Sequence, residues 1–436
     1  MIRIGIIVLG LLVFIGLLFW KFGPSFSETA SNPSGPVELT IWSLREDEPI
    51  FRALAEEYKK KNPNFRLKFV HQSTLNYRTR VQTQIAHGQG PDIFMVHNTW
   101  VPMFLSTNSI STMPSKVMTI NEFSSEFYPV AKDTLTEGSK IYAVPAEFDG
   151  LAMFVNEDIL KAANVEVPQN WGDFQRAAQA VTVKDNSGRI TTAGASVGTT
   201  NNVDYWPDIL GLLLLQQPGV NINKPDNELA AQVINFYTSF AKDRGTSVWD
   251  KSMENSTKAF LDGKLAFYFG PSDRVREFAS NPSLKFKTYP VPQLPGGNTS
   301  WGSFWGWSVA SNSPNQELAW DFIKFISSAD SQKLIFKQTA ETRTVGDPFS
   351  RVDLRQDLLS DVWLGSYLVQ APNAKSWYLS SQTFDQGIND EMIAVFQKAV
   401  DRVLDGGDPL SEVRGVSSEI PVILEKYTKP PQAAVN

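Results

Sequence analysis

The chain contains no cysteine. Disulfides, thiolate nucleophiles, cysteine-based metal sites and lipid attachment through a cysteine thiol are therefore excluded. Histidine is nearly as scarce, with 3 in 436 residues. His71, His87 and His97 have no metal-ligand spacing, so neither a metal nor a cofactor is expected. Basic charge is not in excess, because the net charge is -6 at pH 7. No basic block interleaves with aromatics, which speaks against nucleic-acid binding. Walker-type and Gly-x-Gly-x-x-Gly motifs are also missing. Acidic pairs such as Glu147 and Asp149 occur. Paired-carboxylate glycosidase chemistry, however, needs a separation in space of about 5–5.5 Å, which spacing along a chain does not give.

What is present begins with an apolar run from Ile4 to Trp20, preceded by Arg3 and followed by Lys21. It is short for a spanning helix, which needs about 20 residues, and long for the core of a secretory signal. The length favours an uncleaved anchor over residues 1–22. Ser25-Phe26-Ser27 would serve as a cleavage site in the signal reading. Arg3 and the terminal amine keep the start of the chain inside, so the bulk is expected outside. Residues 23–36, rich in Ser, Pro, Gly and Asn, read as a flexible linker. The tail 429–436 has two prolines and no core residues, and reads as disordered.

The length exceeds one ordinary core, so two lobes are expected. Val37–Trp42 and Phe65–Val70 alternate as strands, and Pro91–Val96 is an apolar strand. Helical patterns over Phe51–Tyr58 and Tyr77–Ala86 separate them. This order predicts an α/β fold with a mostly parallel sheet. Ligands in such folds bind beyond the carboxyl ends of the strands. That rule selects Trp42 after the first strand, and His97 and Asn98 after the third, against core packing or loop capping. Tyr205 and Trp206 open a helix. Gly270 and Ser272 end an apolar strand, where backbone can approach a ligand closely. Trp305 and Trp307 lie on one face of the tryptophan-rich stretch Trp301–Trp307, and Trp377 sits between polar loops. With 12 tryptophans in the chain, several lining a cleft would suit the flat apolar faces of a sugar. Packing in the core or hinge is the competing reading for each.

Several of these segments, in this order, resemble family 1 extracellular solute-binding proteins, the maltose-binding-protein-like receptors of ABC importers. The matching residues are Ile41-Trp42-Ser43, Asn62-Pro63, Gly90-Pro91-Asp92-Ile93 and Tyr142-Ala143-Val144-Pro145. Asp149, Phe154–Leu160, Trp171–Phe174 and Ala319–Ile326 continue the match. The resemblance implies two α/β lobes, each built from separated segments, namely 37–146 with 303–328 and 147–302 with 329–428. It implies that Asp149 at the first crossover accepts ligand hydroxyls, and that a small polar ligand, a sugar or oligosaccharide, sits between the lobes. The partners it implies are ABC importer permease subunits, with the receptor a monomer on the outer face of the membrane and not an enzyme. A membrane-anchored carbohydrate-active enzyme and a sensory or adhesive surface protein are the alternatives.

Overall fold

The structure is a computed structural model that describes residues 35–45, 47–243 and 245–428. The run Ile4–Trp20 and the tail 429–436 lie outside the described residues, and with them the anchor, signal and disorder readings. Among the described residues, no helix is long and apolar enough to cross a membrane.

Strand β1 (Val37–Ser43) buries Leu39, Ile41 and Ser43 on alternate positions. Helix α1 (Glu48–Lys59) turns Ile50, Phe51, Leu54, Ala55 and Tyr58 inward, the spacing of one helical face. Strand β2 (Phe65–His71), helix α2 (Tyr77–Ala86), strand β3 (Ile93–His97) and helix α3 (Val101–Ser106) follow. The chain then passes through β4 (Val144–Pro145) into β5 (Ala152–Asn156), which is buried along its whole length. Helix α4 (Trp171–Val181) is capped by Asn170, whose side chain accepts from the Asp173 N–H at 2.9 Å. Strands β6 (Val183–Lys184) and β7 (Ile190–Ala195) lead to α5 (Trp206–Gln216), buried on nearly all sides. Helix α6 (Glu228–Lys242), strand β8 (Leu265–Gly270), helix α7 (Arg274–Ala279) and strand β9 (Phe286–Tyr289) complete this half. The return runs through β10 (Ser300–Trp301) and β11 (Trp305–Val309) into α8 (Gln316–Ile326) and α9 (Ala329–Arg343). Strand β12 (Ala374–Lys375), helix α10 (Ile388–Leu404) and helix α11 (Pro409–Thr428) end the chain.

The first sheet has the order β2-β1-β3-β11-β4, and the second β9-β5-β8-β7-β6. Each is the centre of one lobe of a two-lobed α/β fold. The expectation of mostly parallel sheets is corrected. The pairs β1–β3 and β8–β7 are parallel, whereas β11 runs antiparallel to β3 and β4, and β5 antiparallel to β8 and β9. The cause is topological. A strand that arrives by crossing from the other lobe enters its sheet from the opposite end, without a right-handed βαβ turn to align it.

Two crossings lie side by side. Gly150 bridges Gly302, Ser303 N–H donates to the Asp149 carbonyl at 3.0 Å, and Ala146 N–H donates to the Trp305 carbonyl at 2.9 Å. The approach at Gly150 is so close that a Cβ there would sit 1.9 Å from the Trp301 carbonyl oxygen. Helix α9, which the sequence reading grouped with the second lobe, packs on α1 and α8 beside the first sheet.

Candidate functional site

The carboxyl ends of β1, β3 and β8 and both crossings open onto one cleft. Its lining includes Arg45 after β1, His97 at the end of β3, Glu147 and Asp149 on the first crossing, and Ser303 and Trp305 on the second. Tyr205 and Asp208 at the start of α5, and Asp273, Arg274 and Arg276 after β8, close the far side. The cavity measures about 260 Å³. The crossings alternate, so Glu147, Asp149, Ser303 and Trp305 face the cleft while Phe148 and Phe304 turn away and pack near each other, ring centroids 6.3 Å apart.

The floor is rich in buried carboxylates. Glu147 Oε1 pairs with Arg45 at 3.0 Å and accepts from the Trp305 N–H at 3.2 Å, while its buried Oε2 has no hydrogen-bond partner among the described residues. Burial pushes its carboxyl up to about 7, with Arg45 acting in the opposite direction. Asp149 accepts from the Gly150 N–H at 2.8 Å, the Ser272 N–H at 2.9 Å and the Ser272 hydroxyl at 2.8 Å. Burial still holds it well above the usual carboxylate range. Asp208 accepts from the Trp301 indole at 2.9 Å, and from the N–H and hydroxyl of Ser381; burial raises it to about 6.

His97 is 2% exposed. Its ring nitrogens reach Thr99 Oγ1 at 2.8 Å and Ser303 Oγ at 3.1 Å, and burial pushes its pKa down to about 3, so the imidazole is neutral. Half-buried Trp305 stands edge-on to His97 and Trp100, with centroids 5.2 and 5.0 Å apart. Tyr205 accepts from Arg274 Nε at 2.8 Å.

The structure therefore brings His97, Asp149, Tyr205 and Trp305 into one cleft, with Ser272 behind them holding Asp149. It places the other expected residues elsewhere. Trp42 and Trp206 line neither this cleft nor the two other cavities described below, and pack against or within the core. The Gly270 carbonyl accepts from Tyr367 Oη at 2.9 Å. Trp307 lines a small cavity behind the floor and meets Phe51 edge-on, centroids 5.3 Å apart. Asn98 and Trp377 line a third cavity of about 600 Å³ on the reverse of the crossings. There Asn98 donates to Ser376 at 2.8 Å and accepts from the Phe304 N–H at 3.1 Å, and the Trp377 indole donates to Asn223 at 2.8 Å.

Arg45, Asp208, Arg274 and Arg276 were missed. The strand-end rule that selected Trp42 selects Arg45 equally well, three residues later. Asp208 was marked by being the only charge in the apolar helix Trp206–Gln216. The chain also spells Gly-x-Ser-x-Gly at 194–198, but Ser196 is 1% exposed and His97 is bonded to other groups. An exposed serine with a histidine base is thus not formed there.

Residues 42–333 match the family model described as bacterial extracellular solute-binding protein. A maltotriose-binding protein of Pyrococcus abyssi is 26% identical over 35% of this chain and 32% of its own length. A maltooligosaccharide ABC transporter solute-binding lipoprotein of Streptococcus pneumoniae is 22% identical over 46% of this chain and 48% of its own. The chain thus spans about a third to a half of the length of these curated relatives. A cyclic alpha-maltosyl-1,6-maltose binding protein from Arthrobacter globiformis superposes with a TM-score of 0.73 at 17% identity, covering 90% of this chain and 100% of that one. The ordered strand-end cleft, the paired crossings and the extent of the family match agree, and the chain belongs to the bacterial extracellular solute-binding protein family.

Proposed function

We propose that the chain is an extracytoplasmic receptor that captures a sugar or short oligosaccharide in the interlobe cleft and presents it to an ABC importer. The observation that carries this reading is Glu147 Oε2, a buried and unpartnered polar atom on the cleft floor, two positions from Asp149 and hydrogen-bonded through Oε1 to the Trp305 backbone. A buried acceptor without a donor costs about 1–3 kcal/mol, more for a charged group. A ligand hydroxyl removes that cost, and an aromatic face such as that of Trp305 suits the apolar side of a sugar ring.

Glu147, Asp149, Arg45, Tyr205 and Trp305 are the contacts we assign; Trp42, Trp206 and Gly270 we assign to packing. The lobes are 37–146 with 303–343, and 147–302 with most of the remaining chain. Closure of the two about the paired crossings buries the ligand. The relatives support the ligand class, since they bind maltotriose and maltooligosaccharides, and a further relative from Streptomyces coelicolor, 23% identical over 66% of this chain, binds diacetylchitobiose. Delivery to permease subunits, and tethering through the N-terminal apolar run, complete the reading.

Titrating the protein with neutral mono- and oligosaccharides while following tryptophan fluorescence tests it. Saturable binding, with the sugar recovered intact, is the expected result. Conversion of the sugar would replace the receptor reading with an enzyme, and no response across the panel would remove the carbohydrate assignment.

A further inference from the structure

Directly behind the cleft floor lies a small cavity of about 40 Å³. Arg45, Met95 and Glu147 line both spaces. The other polar residues around the small cavity are Asp47, Gln332 and Asp347. A single water needs about 10–15 Å³ by this measure, so the space holds very few. Two buried acceptors of its lining, Glu147 Oε2 and Gln332 Oε1, have no donor.

The charges around this cavity do not balance. Arg45 is paired with Glu147 and Asp347, and Arg343 at the end of α9 with Asp47. Beyond these, Asp149 on the first crossing acts on Arg45 and Arg276 from α7 acts on Asp47, neither in an ion pair with the cluster among the described residues. His97, also on the floor, is neutral. Among the described residues, three ion-paired carboxylates therefore share two guanidiniums in a partly buried cluster. A surplus buried charge is resolved by taking up a proton.

Geometry selects where the proton goes. Asp47 is engaged by Arg343 and Asp347 by Arg45, whereas Glu147, among the described residues, is the one of the three carboxylates with a fully buried oxygen that lacks a partner. A proton on Oε2 removes the surplus charge and turns one of the two orphan acceptors into a donor.

We propose that Glu147 is a proton-dependent specificity residue: the cleft captures its ligand when Glu147 Oε2 carries a proton, which is donated to a ligand oxygen, and capture from the ionised state takes up one proton. This rests on the reading that the cleft holds the ligand. Closure over the ligand removes the remaining water and favours the neutral carboxyl further. Because the ligand-free group titrates at about 7, the competent fraction falls as pH rises through that value. Apparent affinity scales with that fraction, which gives roughly tenfold weaker binding at pH 8 than at pH 6.

The test is calorimetry on the full chain with maltotriose, and with N,N′-diacetylchitobiose in parallel, at pH 6, 7 and 8 in two buffers of different ionisation enthalpy. Proton uptake close to one per ligand at pH 8, falling towards zero at pH 6, is expected. Glu147→Gln should flatten the pH dependence. Asp347→Asn, which removes the surplus charge, should move the midpoint to lower pH; a purely structural role would lower stability and leave the midpoint in place. Infrared difference spectra of ligand-free wild type against Glu147→Gln report the carboxylic carbonyl without any sugar. Binding that takes up no proton and is flat with pH overturns the proposal and leaves the receptor reading standing. If neither sugar binds, the infrared band decides for Glu147 alone: loss of the band between about pH 6 and 8 supports the protonated cluster, and no band at pH 6 overturns it.

Discussion

Replacing Gly150 by alanine perturbs the point where the two crossings touch. The added Cβ would lie 1.9 Å from the carbonyl oxygen and 2.9 Å from the carbonyl carbon of Trp301, both backbone atoms that cannot rotate away. Relief requires the crossings to separate by roughly 1.5 Å to reach ordinary contact. That separation strains two backbone hydrogen bonds, from Leu151 to Trp301 at 3.4 Å and from Ser303 to Asp149 at 3.0 Å. Each contributes about 1 kcal/mol, and overpacking adds about 1–3 kcal/mol. The smaller entropy of the unfolded chain returns about 0.4–1 kcal/mol. The net expectation is destabilisation by about 2–4 kcal/mol in urea unfolding followed by tryptophan fluorescence. Gly415→Ala is the control, because a Cβ there meets nothing within 4 Å inside α11. It should stabilise by about 0.5–1 kcal/mol through helix propensity. Gly150→Ala unfolding within about 0.5 kcal/mol of wild type would refute the close approach of the crossings.

Gln216→Leu should cost about 2–4 kcal/mol in thermal or urea unfolding, because it strips partners from the buried Trp171 indole and the Pro292 carbonyl. Asp208 gives a pH-dependent prediction. Its folded-state value of about 6 lies above the usual 3.8, so the stability it contributes is complete at low pH and is lost as pH rises through about 6. Ser381→Ala removes a donor to the charged form and should therefore destabilise more at pH 8 than at pH 4.5, by about 1–2 kcal/mol. Equal destabilisation at both pH values, by denaturant unfolding, would contradict the assignment. Asn98→Ala unpins Ser376 and the Phe304 N–H, both held across the reverse of the crossings. It should lower stability by about 1–3 kcal/mol, measured in the same way.

Much of the fold could be read from residue pattern alone. The alternation of β1 and the one-sided face of α1 each arise from local burial, and local burial has a period. The mixed character of the sheets does not, because it is decided by where the chain returns, some hundred and more residues away. The segment from Lys140 to Pro145 is interrupted at Tyr142-Ala143 as the chain leaves its pairing with Thr136–Glu137 for β11. For the candidate site, the strand-end rule pointed to His97 and the family resemblance to Asp149, and both line the front cleft. The strand-end rule erred towards tryptophans, since a tryptophan at a strand end can turn to either face of the sheet: Trp305 turns to the cleft, and Trp42 does not. The charged residues escaped for the opposite reason. Arg45, Glu147 and Asp347 lie far apart in sequence, and only the tertiary fold makes them one cluster.

Which cavity takes the ligand is the point on which the account depends. Titrating Trp305→Ala and Ser106→Trp with the best-binding oligosaccharide decides it, since Trp305 lines the front cleft and Ser106 the larger cavity behind the crossings. The account predicts binding at least about tenfold weaker for Trp305→Ala, the loss of one stacked aromatic face, and unchanged binding for Ser106→Trp. Unchanged binding by Trp305→Ala with loss of binding by Ser106→Trp would contradict it and move the receptor site to the reverse of the hinge.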